Sequence, residues 1–141
     1  MTDTDYVSHP LALALKKAGF DEPCNYGYSV KLRLESEVSF GEPKMVHSKD
    51  PKNYNDNRKG IEKGLQFCSA VPLWQAQKWL REKKNLSVEP YANIVAGFNY
   101  GIADLSSFAE EKGGSVGFNS YEQALSAGIE AALELIEKKG E

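Results

Sequence analysis

Ser120-Tyr121-Glu122-Gln123-Ala124-Leu125-Ser126-Ala127-Gly128-Ile129-Glu130-Ala131-Ala132-Leu133-Glu134-Leu135-Ile136-Glu137 is the stretch that decides the fold. Ser120 and Gln123 have the S-x-x-Q spacing of a capping box, in which side chains satisfy the first backbone N–H groups of a helix. Tyr121, Ala124, Leu125, Gly128, Ile129, Ala132, Leu135 and Ile136 then recur at helical spacing and form one apolar stripe. Glu130, Glu134 and Glu137 lie opposite it. A helix this amphipathic lays one face on a sheet, so the rest of the chain must supply strands.

Strands are readable on both sides of a second helix. From Tyr26 the pattern alternates strictly: Tyr26, Tyr28, Val30, Leu32 and Leu34 on one side, Ser29, Lys31, Arg33 and Glu35 on the other. That is a strand with one buried face. Val38 and Phe40 continue it or begin another. Leu65 to Cys68 is a short strand, and Ser69 is placed to cap a helix from Pro72 to Lys84 that stops near Asn85. Leu86–Glu89 and Val95–Leu105 read as strands, the latter with Phe98, Tyr100, Ile102 and Asp104 on one face. Gly97 and Gly101 mark a bulge or a close backbone approach. Gly113-Gly114 makes a turn, and Ser115–Phe118 a third short strand. Residues 72–138 therefore read α-β-β-β-α. Ahead of all this, Ser8 caps a helix from Pro10 to Ala18, with Gly19 as the left-handed residue after its end and Phe20 folded back onto Leu15. The fold class is α+β: a mainly antiparallel sheet with helices packed on one face.

The 141 residues suit a single domain spanning 1–141, long enough to bury a core without disulfide or metal. Its least regular part is Gly41–Gly64. Pro43, Pro51, Asn53, Asn55, Asp56 and Asn57 argue for a long polar loop there, and loops of that length are often functional.

Charge narrows the partners. Residues 1–70 carry 10 basic and 10 acidic side chains, and residues 71–141 carry 7 and 10, for a net charge of -3. No segment has the basic excess of a phosphate-backbone binder, which disfavours nucleic acid. The acidic start, Met1-Thr2-Asp3-Thr4-Asp5, is unlike a secretory signal. Apolar runs are too short to span a bilayer, so no membrane partner is expected. The two cysteines, Cys24 and Cys68, fit a reducing cytoplasm.

Chemistry finds little support. His9, Cys24, His47 and Cys68 are spread at intervals of 15, 23 and 21 residues, with no C-x-x-C or H-x-x-x-H pair to seed a metal site. His47 with either cysteine is the one thiol–imidazole pairing worth naming, and the apolar setting of Cys68 suits a buried structural thiol better. The glycines at 97 and 101 and at 113, 114 and 117 have the wrong spacing for a phosphate loop. Glu110 and Glu111 sit in a polar stretch, and the glutamates of the last helix face water, where proton transfer at neutral pH is poorly served. No cofactor, metal or catalytic residue is implied.

The tryptophans carry the most information. On the Pro72 helix, Leu73, Ala76, Gln77 and Leu80 centre the apolar face. At 100° per residue Trp74 lies about 110° to one side of that centre and Trp79 about 110° to the other. They flank the face, where they either lap over the sheet edges or reach a partner, as exposed tryptophan often does. Lys78 and Arg81 would rim such a contact. The aromatic strand residues Tyr26, Tyr28, Tyr91, Phe98 and Tyr100 could stack bases on an open sheet, but only Lys31 and Arg33 accompany them, so they read as core.

Three stretches also carry a resemblance: Gly19-Phe20-Asp21-Glu22-Pro23-Cys24 after a short helix, Ser69-Ala70-Val71-Pro72-Leu73-Trp74-Gln75-Ala76-Gln77-Lys78-Trp79-Leu80-Arg81-Glu82-Lys83, and the ending Ser120-Tyr121-Glu122-Gln123-Ala124-Leu125. Together they resemble a family of small proteins from prophages and mobile elements of gut anaerobic bacteria. The core Gln77-Lys78-Trp79-Leu80-Arg81 is the most distinctive piece, and residues 41–64 fall outside the likeness. The resemblance implies a bacterial cytoplasm and a phage-associated setting. It implies no reaction and no site residues.

These readings lead to a non-enzymatic interaction protein that contacts a protein partner, or itself as a dimer, through Trp74, Lys78, Trp79 and Arg81. A nucleic-acid-binding accessory protein is the alternative, because α-β-β-β-α is also the order of double-stranded-RNA-binding domains. A small enzyme using the 41–64 loop and His47 is the third reading.

Overall fold

The alternation expected from Tyr26 holds in the second half of β1 (Cys24–Arg33), where Val30 and Leu32 are buried and Lys31 and Arg33 exposed, whereas Tyr26 and Tyr28 are half-buried on either side of a buried Gly27; β1 is the centre of a three-stranded antiparallel sheet of order β2-β1-β3. The computed structural model describes residues 5–33, 38–56, 64–95, 97–107, 109–113 (backbone only) and 117–139. By packing, the chain divides into two compact units: residues 8–71 form one, and residues 1–7 with 72–141 form the other.

The unit of residues 8–71 opens with α1 (His9–Lys17). The Ser8 hydroxyl accepts the Leu11 N–H at 3.4 Å. At the far end Phe20 N–H donates to Leu15 C=O at 3.0 Å and Gly19 N–H to Lys16 C=O at 3.1 Å. With Gly19 at φ +100°, this is the Schellman ending expected. β3 is Leu65–Ser69, antiparallel to β1 with Tyr28 opposite Cys68.

The third strand of this sheet corrects the sequence reading. β2 runs Val38–Lys52 and pairs antiparallel with β1, with Tyr26 opposite His47 and Lys31 opposite Phe40. Residues 41–52, expected as loop, are therefore an edge strand. The prolines are tolerated because they fall where the ladder is interrupted. Three residues, 41–43, stand against one between the Ser29–Lys44 and Lys31–Phe40 pairs. Four, 48–51, stand against one between Tyr26–His47 and Cys24–Lys52. Proline lacks a donor, so bulges and edges are its places in a sheet, and Gly41 supplies the left-handed turn at φ +78°. The polarity was informative: β2 is exposed along most of its length. Residues 57–63 of that expected loop, and Leu34 and Glu35 of the expected first strand, lie outside the described residues.

After β2 the chain folds back onto β1. Tyr54 is 4% exposed, and its ring covers Gly27, where an added Cβ would sit 2.5 Å from Tyr54 Cδ1. Asn55 then ties three segments. Its Nδ2 donates to Phe20 C=O at 2.7 Å, and its Oδ1 accepts the Ser69 N–H at 2.9 Å. Gly27→Ala should therefore destabilise the chain by about 1–2 kcal/mol, read by urea denaturation, because the buried ring has no room to move.

The other unit is α2 (Leu73–Lys84), β4 (Leu86–Asn93), β5 (Gly97–Asp104), β6 (Ala109–Gly113) and α3 (Tyr121–Lys139), the α-β-β-β-α order read from sequence. Its sheet is antiparallel, order β4-β5-β6. Both helices pack on β4 and on each other, so they share one face. The third strand of this sheet is Ala109–Gly113, ahead of the expected Ser115–Phe118. Phe118 makes an isolated bridge to Phe98 on the same edge of β5, while Gly114, Ser115 and Val116 lie outside the described residues. Gly97, at φ +89°, is where the backbones approach: a Cβ there would meet Phe118 O at 2.6 Å. Gly101 has open space instead.

α3 buries Ala124, Leu125, Gly128, Ile129, Ala131, Ala132 and Leu133. Ser120 Oγ accepts the Gln123 N–H at 3.1 Å, and Gln123 Oε1 accepts the Asn119 N–H at 3.1 Å, one residue ahead of the usual capping-box partner. At its other end Lys139 Nζ reaches Asp104 at 3.3 Å. Ser106, then Lys139, hold the Asp104 carboxyl down to about 2.

A candidate interaction groove

α2 begins without a side-chain cap. Ser69 is in β3, fully buried, and not at the helix start, so the expected cap is absent. Pro72 is the N-cap residue and offers no side-chain hydrogen bond. Backbone from residues 5–7 takes its place: Leu73 N–H donates to Asp5 C=O at 3.0 Å, and Tyr6 forms an isolated bridge to Pro72. The orphan donors of a helix start need a partner, and this one brings Asp5 and Tyr6 beside Trp74. The helix ends as expected, at Asn85 in the left-handed region, φ 56°.

The structure divides the four residues proposed from sequence. Trp79 is 3% exposed and belongs to the core, with Lys84 Nζ 5.5 Å from its ring centroid. Trp74 is 64% exposed. Lys78 and Arg81 are exposed too and follow Trp74 at four and seven residues, on the same side of the helix. The symmetric placement of the two rings is thus corrected: the buried arc of α2 extends toward Trp79 and leaves Trp74 open.

Trp74 stands on a groove of about 410 Å³ lined by Asp5, Tyr6, Pro72, Leu73, Trp74, Tyr121, Glu122 and Leu125. α3 supplies the opposite wall from its first turn. Tyr121 is 42% exposed and is held edge-on against Phe98, ring centroids 6.5 Å apart at 84°. Sequence reading missed Tyr6, Asp5, Tyr121 and Glu122 as neighbours of Trp74. Tyr121 was assigned to the apolar stripe, and nothing local links residues 5, 74 and 122.

The other candidates do not assemble. His47 is exposed and lies against Tyr26, centroids 4.8 Å apart. His9 is edge-on to Tyr28 at 5.4 Å. Cys24 and Cys68 are buried thiols that are not joined in a disulfide. Cys68 is opposite Tyr28, four residues or about 13 Å along β1 from Cys24, beyond disulfide reach. Burial pushes both thiols up to about 11, with Ser69 and Glu22 bearing on Cys24 and Lys16 on Cys68. His47 is not among those groups. Among the described residues no three His, Cys, Asp or Glu side chains are grouped to hold a metal, and no helix is long and apolar enough to cross a membrane.

No family model, curated protein or solved structure matches the chain.

The burial of the two thiols has a measurable consequence. With each thiol raised from 9 to about 11, the folded protein holds about 100-fold less thiolate at pH 8. Native protein should react with iodoacetamide at least that much more slowly than urea-unfolded protein, followed by mass spectrometry. The folded thiols hold their protons where the unfolded ones release them, so stability should fall as pH rises above about 9.

Proposed function

We propose that this protein is a binding protein and not an enzyme, and that it engages a polypeptide partner through Trp74 at the mouth of the groove, with Lys78 and Arg81 on the rim. One observation carries the reading: a tryptophan 64% exposed on a rigid helix, beside a concave site. Tryptophan is among the residues that dominate binding energy at protein contacts, and a rigid helix presents it at little entropic cost. The mobile-element setting implied by the resemblance is compatible with such a role and adds no residue to it.

The test is selection of peptides from a displayed random library on the intact chain, with Trp74→Ala for counter-selection. Peptides that bind the wild type should lose at least about 10-fold in affinity against Trp74→Ala. Selected peptides that bind both equally would end the reading. Sedimentation of wild type and Trp74→Ala covers a second copy as the partner: a dimer that dissociates only in the variant identifies it.

A further inference from the structure

The groove beside Trp74 has an apolar projection next to it. After α2 the chain turns at Asn85, and β4 runs back alongside the helix. The 12 residues of α2 span about 18 Å and the 8 of β4 about 26 Å, so the turn between β4 and β5 stands beyond the start of α2. Ile94 and Val95 belong to that turn and are wholly exposed. Asn93 Oδ1 accepts the Val95 N–H at 2.9 Å and holds the turn in shape. The opposite wall of the groove is close by. Tyr121 packs edge-on against Phe98, which lies across from Ala92, one pair in from the Asn93–Gly97 pair that ends the ladder. Among the described residues of this unit, the exposed large apolar side chains are Trp74, Tyr91, Ile94, Val95 and Tyr121. All but Tyr91, which alternates onto the other face of the sheet, gather at this end. We infer that the partner at the groove is a second copy of this chain, related by a twofold axis, with the Ile94–Val95 turn of each copy seated in the Trp74 groove of the other. The inference rests on the Trp74 reading above.

Shape favours a second copy over an unrelated partner. Projection and groove lie side by side, so a twofold axis sets each against its complement and one surface supplies both halves of the contact. The turn is already held by Asn93, and a preformed element docks at little entropic cost. Charge does not oppose the arrangement. Residues 90–99 include no Asp, Glu, Lys or Arg. The turn therefore sets no charge against Asp5 or Glu122 in the groove, nor against Lys78 and Arg81 on its rim, and the contact needs no net charge of either sign there.

Size agrees as well. The groove, at about 410 Å³, has room for both aliphatic side chains. Trp74, Tyr121, Ile94 and Val95 leave on the order of 400 Å² of apolar side chain in water per copy. Two copies bring about twice that, and the groove walls and polar rim raise the total to the roughly 1,000–1,200 Å² at which specific but weak interfaces begin. The dimer should accordingly dissociate in the micromolar range.

Sedimentation equilibrium of the intact chain over about 5–500 µM tests the inference. Wild type should approach twice the mass of one chain. Ile94→Ser with Val95→Ser should weaken the dimer by about 10-fold or more, as should Trp74→Ala. Urea denaturation of dilute protein should be unchanged in both variants, because the three side chains are exposed and serine keeps the backbone N–H that closes the turn. In a mixture of methyl-labelled and unlabelled wild type, filtered nuclear Overhauser spectra should connect the Ile94 or Val95 methyls to the Trp74 indole across copies. A chain that stays monomeric throughout, or a dimer indifferent to the serine pair, overturns the inference. So does a dimer lost in the serine pair and kept in Trp74→Ala, since the turn then sits elsewhere. The two proposals fail separately. A monomer whose selected library peptides still need Trp74 would sink the second copy alone. Peptides and dimer both indifferent to Trp74 would sink both.

Discussion

Trp79→Ala should cost about 3–5 kcal/mol of folding stability, whereas Trp74→Ala, five residues away on the same helix, should change it by less than about 0.5 kcal/mol. The first figure is the range for truncating a buried aromatic, combining lost transfer energy with the cavity left behind. The second is the usual effect at an exposed site. Trp79 is 3% exposed and Trp74 64%. Trp79 also has the Lys84 ammonium above its ring at 5.5 Å, a contact worth a further fraction of a kcal/mol. Urea denaturation followed by circular dichroism measures both variants, and the thermal midpoint of Trp79→Ala should fall by about 10 °C or more. Because helix and chemistry are shared, the pair controls for everything but burial. Two large losses would mean that Trp74 is a core residue and that the groove is closed. A tryptophan-fluorescence check accompanies it. In Trp79→Phe the remaining indole, Trp74, should be freely quenched by acrylamide, and in Trp74→Phe the remaining Trp79 should be shielded.

That contrast also marks where sequence reading ran out. Angles on a helical wheel place both tryptophans at the same distance from the apolar centre, and only the tertiary neighbours break the tie. α2 packs on two elements, β4 and α3, so its buried arc is wider than one sheet requires and extends toward one tryptophan. Local signals fared better where the physics is local. Ser8, Gly19 and Phe20 define both ends of α1, Ser120 and Gln123 start α3, and Asn85 stops α2, because caps are satisfied within a few residues. β2 was hidden by its prolines and by its polarity. Both are what an edge strand carries, and both also describe a loop. Gly27, inside a run of alternating apolar residues, was the available sign of a close approach, but what approaches is Tyr54, from 27 residues along. The groove was the least legible part. It joins residues 5–6, 72–74 and 121–125, and its polar contact to α2 is the carbonyl of Asp5, which no side-chain pattern reveals.

Gly128→Val should destabilise the protein by about 3 kcal/mol, although α3 gains a residue with a better helix propensity than glycine. A Cβ at position 128 would sit 2.5 Å from Val88 Cγ1 and 3.1 Å from Tyr100 Cδ1 and Cγ. Neither neighbour can yield cheaply. Val88 is fully buried and Tyr100 is 7% exposed, and a β-branched side chain in a strand has few rotamers to retreat to. Helix α3 must therefore lift off β4 and β5, which costs packing along its whole buried stripe. Gly128→Ala separates the two contributions. It gains about 1 kcal/mol of helix propensity against a smaller clash, so its net loss should be about 1 kcal/mol. Tyr100 reports the displacement independently of stability. Its phenol is held above the ordinary value, first by burial and then by the Glu134 and Glu130 carboxylates of α3. If the valine lifts α3 from the sheet, both causes weaken, and the Tyr100 titration should move down toward its ordinary value. A variant that kept wild-type stability and an unmoved Tyr100 titration would show that α3 does not rest on the sheet through Gly128.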